Sequence, residues 1–472
     1  MIEGLKPYAE YKESGLPWLG KTPVHWSTNR LRHACEMLVS NVDKHTKPNE
    51  LPVLLCNYVD VYKNERIHRR LRFMRATASK DEVSRFRLRH GDVVITKDSE
   101  DWKDIGVPAL VEHEAADFVC GYHLAILRPR PAFTSGSFLL RTLQCHLVAA
   151  QFHVEAHGVT RYGLGHGAIK GVRIPLPPPE EQAAIVRFLD HANRKIDGFI
   201  RAKRKLIGLL NEQKQAIIHR AVTRGLHPDA PLKPSGIPWL GDIPVSWTVA
   251  KLKHLTRFQN GLPFKPADWK AEGIPIIRIQ NLNGSDDFNY TIKKTLPTDL
   301  LIRNGDLMFA WSGNKGTSFG SFQWDRPFDG YLNQHIFKLT GFKIPRRYFY
   351  YVLRAVTRHV EEQAGGIIGL VHVTKPELGS VQVPIASAEE QENIAQYIDV
   401  ATAALTTVIA RTDREIALMQ EYRTRLTADL VTGKLDVREA ARRLPDEAPL
   451  DTVEDDTDLS DETEAADEEA AV

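Results

Sequence analysis

The sequence predicts an α+β chain built twice: two similar globular blocks separated by two long helices that pair as an antiparallel coiled coil, with internal pseudo-twofold symmetry. Three observations predict it. Ten residues between positions 11 and 33 return 221 positions later. The segment from Pro177 to Gly225 carries the apolar seam of one long helix. The opening of that segment recurs 209 positions on, from Ser387. Repetition of several landmarks in the same order is the mark of an internal duplication.

The first repeated segment is a connector. Ser14, Gly15, Pro17, Trp18, Leu19, Gly20, Pro23, Trp26, Leu31 and His33 return as Ser235, Gly236, Pro238, Trp239, Leu240, Gly241, Pro244, Trp247, Leu252 and His254. Tryptophan and proline in such a pattern are expected to anchor the connector against a core.

A block of mixed strand and helix follows each connector. In the first, strands are expected around Leu51–Val61, Asp92–Thr96 and His123–Arg128, and a helix around Ser137–Ala149. In the second, the counterparts are Ile274–Gln280, Asp306–Trp311, His335–Leu339 and a helix around Arg347–Val360. Gly91-Asp92 and Gly305-Asp306, and likewise His123 and His335, mark equivalent places.

The long helices come next. Ile185, Leu189, Ala192, Ile196, Phe199, Lys203, Leu206, Leu210, Gln213 and Ile217 alternate by four and three, the seam of a coiled coil. Pro179 suits a first turn, Glu180 and Glu181 complement the dipole, and Gly225 with Pro228 predicts a stop. In the second copy Glu389, Glu390, Gln391, Ile394, Ile398 and Asp399 answer Glu180, Glu181, Gln182, Ile185, Leu189 and Asp190. Ser387 and Glu390 predict a capping box, and Gly433 repeats the stop.

Composition narrows the class. With 42% hydrophobic and 26% charged residues among 472, the chain reads as an ordinary multidomain protein. No apolar run predicts a signal peptide or a membrane span, and Cys35, Cys56, Cys120 and Cys145 lack metal-site spacing; both suit a cytoplasmic chain with reduced thiols. The net charge of +2 hides an asymmetry. Residues 446–472 hold 13 Asp or Glu and no Lys or Arg, which leaves +15 on the remainder. Such a body suits a polyanion, while the tail is expected to stay unfolded.

The W-L-G…P-x-x-W connector, the I-P-L-P-P-P-E-E-Q opening of a long helix and the repetition of both resemble the specificity subunit of type I restriction–modification systems, over about residues 11–435. The resemblance implies that each block is a target-recognition domain reading one half of a bipartite, asymmetric DNA site. It implies that the paired helices set the spacing and dock two modification (methyltransferase) subunits, to which restriction (endonuclease and translocase) subunits add. On this reading the chain divides into an N-terminal connector (1–26), target-recognition domain 1 (27–176), a central helix (177–225), linker and repeated connector (226–247), target-recognition domain 2 (248–386), a C-terminal helix (387–435) and a disordered acidic tail (445–472).

Catalytic parts are not expected in this chain. There is no glycine-rich methyl-donor loop, no Asn/Asp-Pro-Pro-aromatic motif and no G-x-x-x-x-G-K-[ST]; Glu212 and Lys214 lie inside the predicted helix. His153, Glu155 and His157 differ from H-E-x-x-H and have no third ligand. No cofactor is expected here, with S-adenosylmethionine, ATP and magnesium belonging to partners. The DNA contacts are expected on loops. In the first block these are Lys97, Ser99, Trp102, Lys103, Arg161 and Tyr162; in the second, Trp311, Ser312, Asn314, Lys315, His335 and His372. The competing readings are a non-recognising assembly scaffold and a stand-alone metal-dependent DNA enzyme.

Overall fold

Each connector wraps a tryptophan in apolar side chains before its block begins. The computed structural model describes residues 5–293, 296–363 and 369–445, which form two compact units. The first holds the residues up to Lys203 and those from Arg414; the second holds Arg204–Asp413. The acidic tail expected over 445–472 lies, beyond Pro445, outside the described residues.

In the first unit the connector is a two-stranded ladder, Tyr11–Glu13 against Lys21–Pro23. The block is closed by pairing of its outermost strands, Ser27–Arg30 with Arg173–Leu176. Inside lie β1 (Leu51–Cys56), α1 (Tyr58–Tyr62), β2 (Met74–Ala78), β3 (Val93–Thr96), β4 (Asp98–Ser99), β5 (Phe118–Cys120), β6 (Leu124–Pro129) and β7 (Tyr162–Gly163). A three-stranded sheet runs β5-β1-β2, and a five-stranded sheet has β3 at its centre, flanked by β6 and Pro108–Val111. Val93, Val94 and Ile95 are buried in succession, as expected of a central strand covered on both faces. The long helix α2 then runs Pro179–Arg224.

The second unit repeats this plan. Its connector ladder pairs Leu232–Pro234 with Asp242–Pro244, and Thr248–Lys251 with Gln382–Ile385 closes the block. The matching elements are β8 (Ile274–Ile277), α3 (Ile279–Leu282), β9 (Asn289–Thr291), β10 (Leu307–Ala310), β11 (Ser312–Asn314), β12 (Gly330–Leu332), β13 (Ile336–Thr340) and β14 (Leu370–His372). β8 lies antiparallel to β9 and parallel to β12, just as β1 lies antiparallel to β2 and parallel to β5. The helix α4 (Ala388–Val431) follows.

The repeated residues do repeated work. The Trp26 indole N–H donates to Glu181 at 3.0 Å, and the Trp247 indole reaches Glu390 at 3.2 Å. Both indoles are fully buried. Gln182 and Gln391 donate to the carbonyls of Pro177 and Ala386, closing the turn before each helix. Asp190 takes the Arg141 guanidinium at 2.6 Å, and Asp399 takes Arg347 and the Tyr351 hydroxyl. Ser387 and Glu390 form the expected capping box. Gly433, at φ +77°, ends α4 against Pro23 and Trp26, where a Cβ would lie 2.5 Å from the proline ring; Gly225, at φ +75°, ends α2 against Trp247.

The pairing of α2 with α4 is antiparallel. Asp197 meets Arg423 and Lys203 meets Glu415 at 2.8 Å in the first unit; in the second, Lys214 donates to Thr406 at 2.9 Å. The seam, however, is shifted in its middle. Ile200 is buried where Phe199 was expected and Phe199 is exposed; Leu206 and Gln213 are exposed, while Ile207 and Lys214 are half-buried. Two successive steps of four, Ala192 to Ile196 to Ile200, rotate the stripe by one position, which is how a coiled-coil seam absorbs a stutter.

Three further expectations need correction. The strand expected over Leu51–Val61 stops at Cys56 because Asn57 and Asp60 form a capping box that starts α1. The strand over Ile274–Gln280 stops likewise at Ile277, where the Asn281 side chain accepts the Arg278 N–H and starts α3. The helix over Ser137–Ala149 is two helices, Gly136–Leu143 and His146–Val154, broken where Cys145 turns extended.

Glu181 accepts from Tyr8, His25 and Trp26 at once. Removing a buried acceptor leaves each buried donor unpaired at about 1–3 kcal/mol. Glu181→Ala is therefore expected to lower the thermal midpoint of the first unit markedly, and Glu181→Gln much less, as read by tryptophan fluorescence on heating.

Candidate nucleic-acid interface

Most of the expected contact residues of each block, far apart in sequence, meet at one small antiparallel ladder; Trp102 and Lys103 lie beyond it in the turn Trp102–Asp104. In the first unit β4 pairs with β7, setting Ser99 opposite Tyr162 and Asp98 opposite Gly163. In the second, β11 pairs with β14, setting Ser312 opposite His372 and Asn314 opposite Leu370. The backbone around each ladder is the same. The Lys97 N–H donates to the His123 carbonyl at 2.8 Å and the Lys97 carbonyl accepts from Leu164 at 3.0 Å. The Trp311 N–H donates to the His335 carbonyl at 3.1 Å, and its carbonyl accepts from Val373 at 2.9 Å. Lys97 and Trp311 thus occupy one position of a shared frame, as do His123 and His335.

On that frame the side chains differ. In the first unit Asp98 binds Lys97 Nζ at 2.7 Å and His123 Nδ1 at 3.0 Å through the same oxygen. Burial pushes the Asp98 carboxyl up, but hydrogen bonds from Lys97 and His123 outweigh it and hold it below the usual range. A charged acceptor is thereby fixed beside a cation. Opposite, a Cβ at Gly163 would lie 2.8 Å from Asp98 Oδ1 and would push that carboxylate aside. His123, at φ +69°, is the one non-glycine residue with left-handed backbone among the described residues.

In the second unit the same place is aromatic. The Trp311 ring stacks on Phe337 at 5.8 Å, with His335 at 5.1 Å and His372 edge-on at 5.0 Å. The Trp311 indole N–H donates to the Gln334 carbonyl at 3.0 Å. His335 Nδ1 is buried without a hydrogen-bond partner, and burial together with His372 holds that imidazole below its ordinary value.

The remaining candidates fall into three groups. Arg161, Lys315 and His372 are exposed at or next to the ladders, and Trp102 is exposed with the Lys103 ammonium over its ring at 5.6 Å. Tyr162, Ser312 and Asn314 are half-buried within them. Ser99 is buried, its hydroxyl accepting from Tyr58 and from the Asp101 N–H. Lys315 donates its backbone N–H to Gly369, and Gly313 is needed because a Cβ would lie 2.6 Å from Ser318. His123, Asp98 and Tyr58 belong to the site and were not singled out from sequence; the paired positions of His123 and His335 were the available signal.

His153 packs its ring against the Trp102 edge, and His157 pairs its backbone with Gly163. No group of three metal-ligating side chains exists among the described residues. Nor, among them, is any helix long and apolar enough to cross a membrane. Exposed cations and amide or imidazole groups beside a rigid ladder suit phosphates and base edges.

A duplicated recognition frame that carries different side chains in each copy defines a modular binding chain. The type I restriction–modification DNA specificity domain matches residues 60–206 and again 244–417, and the chain belongs to that family. Sequence-specific DNA recognition is therefore its role. A chain of Methanocaldococcus jannaschii assigned as the type I restriction enzyme MjaX specificity subunit is 22% identical over 427 residues, covering 89% of this chain and 96% of that one. The MjaVIII specificity subunit of the same organism is 26% identical over 282 residues, or 57% and 63% of the two chains. In fold, the chain is similar to one from a solved structure describing complex assembly and conformational transition of a type I system. That match has a TM-score of 0.55 at 16% identity and covers 87% and 98% of the two chains.

His335 has a folded pKa below its unfolded one, so its contribution to stability is complete above about pH 6.5 and is lost as the pH falls through and below that value. His335→Gln is expected to flatten the fall in the second unit's thermal midpoint below about pH 6.5, measured against the unaltered chain.

Proposed function

We propose that each unit reads one half of a bipartite, asymmetric duplex site, that α2 and α4 set the gap between the halves, and that the chain itself performs no chemistry. Methyl transfer and cleavage then fall to two modification subunits and to restriction subunits, which bring S-adenosylmethionine, ATP and magnesium in the cytoplasm. The observation that carries this reading is the shared frame at the ladders, bearing Lys97, Asp98 and His123 in one unit and Trp311, Ser312 and His335 in the other. Identical scaffolds with different side chains are what two half-sites of different sequence require.

Recognition on this reading proceeds in two stages. The +15 carried outside the acidic C-terminal stretch attracts DNA without regard to sequence, and its contribution falls steeply with salt. Arg161, Tyr162, Lys97, Trp102 and Lys103 then face the first half-site, and Asn314, Lys315, Ser312 and His372 the second. Ser99, Trp311 and His335 support these from beneath. Asp98, held ionised, would accept from a cytosine or adenine amine.

Exchanging residues 27–175 for the corresponding block of a relative, with partners present, is expected to change one half of the methylated motif and leave the other intact. Mapping of methylated positions reads this directly. An unchanged motif, or change in both halves, would defeat the modular reading.

A further inference from the structure

The two units share the path from the first strand of the small sheet through a short helix and back, yet the connection carries opposite charge. In the first unit residues 63–75, between α1 and the start of β2, hold Lys63, Arg66, Arg69, Arg70, Arg72 and Arg75 with Glu65 as the single acid. In the second the equivalent connection, residues 283–288 between α3 and β9, holds Asp286 and Asp287 and no cation.

One of these cations has a structural task. Arg66 binds Glu112, and reaches Asp190 on α2 at 3.1 Å. Arg69, Arg70, Arg72 and Arg75 are different: all four are exposed, and among the described residues their side chains make neither ion pair nor hydrogen bond. Four guanidinium groups within seven residues repel one another, and no ion pair among the described residues offsets that repulsion.

Both ends of the loop lie at the candidate interface. Before it, α1 stacks Tyr58 on Tyr62 at 5.6 Å, and the Tyr58 hydroxyl donates to Ser99 of β4 at 3.1 Å. Where it returns, Met74 Sδ accepts from the Asn57 side chain at 3.4 Å. The connection that carries the arginines is thus anchored at both ends to the candidate interface, while between them Arg66–Ile67 pairs with Leu110–Val111 and Phe73 packs on His113 and Phe118.

We infer that the Arg69–Arg75 loop is a phosphate clamp: it grips the sugar–phosphate backbone of duplex DNA at or beside the first half-site, contributing affinity without reading sequence. Guanidinium groups pair with phosphate oxygens in bidentate fashion, and such contacts carry no base information. In the second unit Asp286 stands at the equivalent place paired with Arg326 at 2.8 Å, beside Asp287 and without a cluster of unpaired arginines, so the first unit supplies the larger share of the salt-sensitive binding. The inference rests on the DNA-recognition reading above.

The test uses the full chain assembled with its modification partner and a duplex bearing its own methylated motif. Binding is measured across salt concentration for the unaltered chain, for the fourfold variant R69Q/R70Q/R72Q/R75Q and for the fourfold Arg→Lys variant. The glutamine variant is expected to bind at least about tenfold more weakly near 0.1 M salt, with the slope of log affinity against log salt shallower by up to about 3.6, since each of four phosphate contacts contributes about 0.9. Its methylated motif is expected to match that of the unaltered chain and its thermal midpoint to be no lower, and the lysine variant is expected to retain the slope.

An unchanged slope would overturn the inference, as would an altered half-site, which would make the loop a base reader. Tighter binding by the glutamine variant, the result expected if the chain's own acidic 446–472 segment covers the loop, would overturn it too. Failure of the broader reading is distinguishable: there the unaltered assembly itself would show no preference for its motif.

Discussion

A glutamate in the first turn of each long helix, accepting a hydrogen bond from a buried connector tryptophan, is the joint on which the rest depends. Burying an indole of about 200 Å² is worth about 5 kcal/mol, and a hydrogen bond to a charged group adds about 1.5–3. Burial thus supplies most of the stability, and the hydrogen bond supplies the direction. Trp26 cannot sit in its pocket with Glu181 satisfied unless the connector, the helix start and the preceding turn are all in place.

The same indole also receives the end of a helix. Gly225 stops α2 against Trp247, only 22 positions away in sequence. Gly433 stops α4 against Trp26, which is contributed by the far end of the chain, and the Asp436 N–H to Lys6 carbonyl bond reinforces that meeting. Each unit therefore consists of a connector, a block, the first part of one long helix and the last part of the other. Asp190 and Asp399, gripped by Arg141 and Arg347, then fix each block onto its helix two turns further along. Side chains on a ladder can differ between the units because its frame is set by backbone hydrogen bonds, while these joints hold each block in place.

Much of this was legible in the sequence because the joints use large or charged residues whose repetition cannot be mistaken. Trp26 and Trp247, Glu181 and Glu390, and the two stop glycines all announced their equivalence. What escaped were features without periodicity. α1 and α3 continue the apolar run of the strands before them, so only the Asp60 and Asn281 side-chain caps reveal the turn. The seam slipped by one position after Ile196, because Phe199 and Ile200 are equally apolar and only packing chooses between them. At the interface, the loops containing Lys97 and Arg161, and those containing Asn314 and His372, were identified separately. Their pairing across some sixty residues rests on strands of two or three residues that leave no pattern. Ser99 read as a contact residue because serine in a polar loop gives no hint of burial beneath Tyr58.

The central claim is that the units read half-sites independently while the helices only space them. The most direct measurement is the methylated motif after inserting four residues into each helix at the paired positions Lys203 and Glu415, with partners present. Four residues add about 6 Å at 1.5 Å each, against about 3.4 Å per base pair. The account predicts both half-sites unchanged and the gap between them widened by one or two base pairs. A folded, active variant with an unaltered gap, or with altered half-sites, would contradict it.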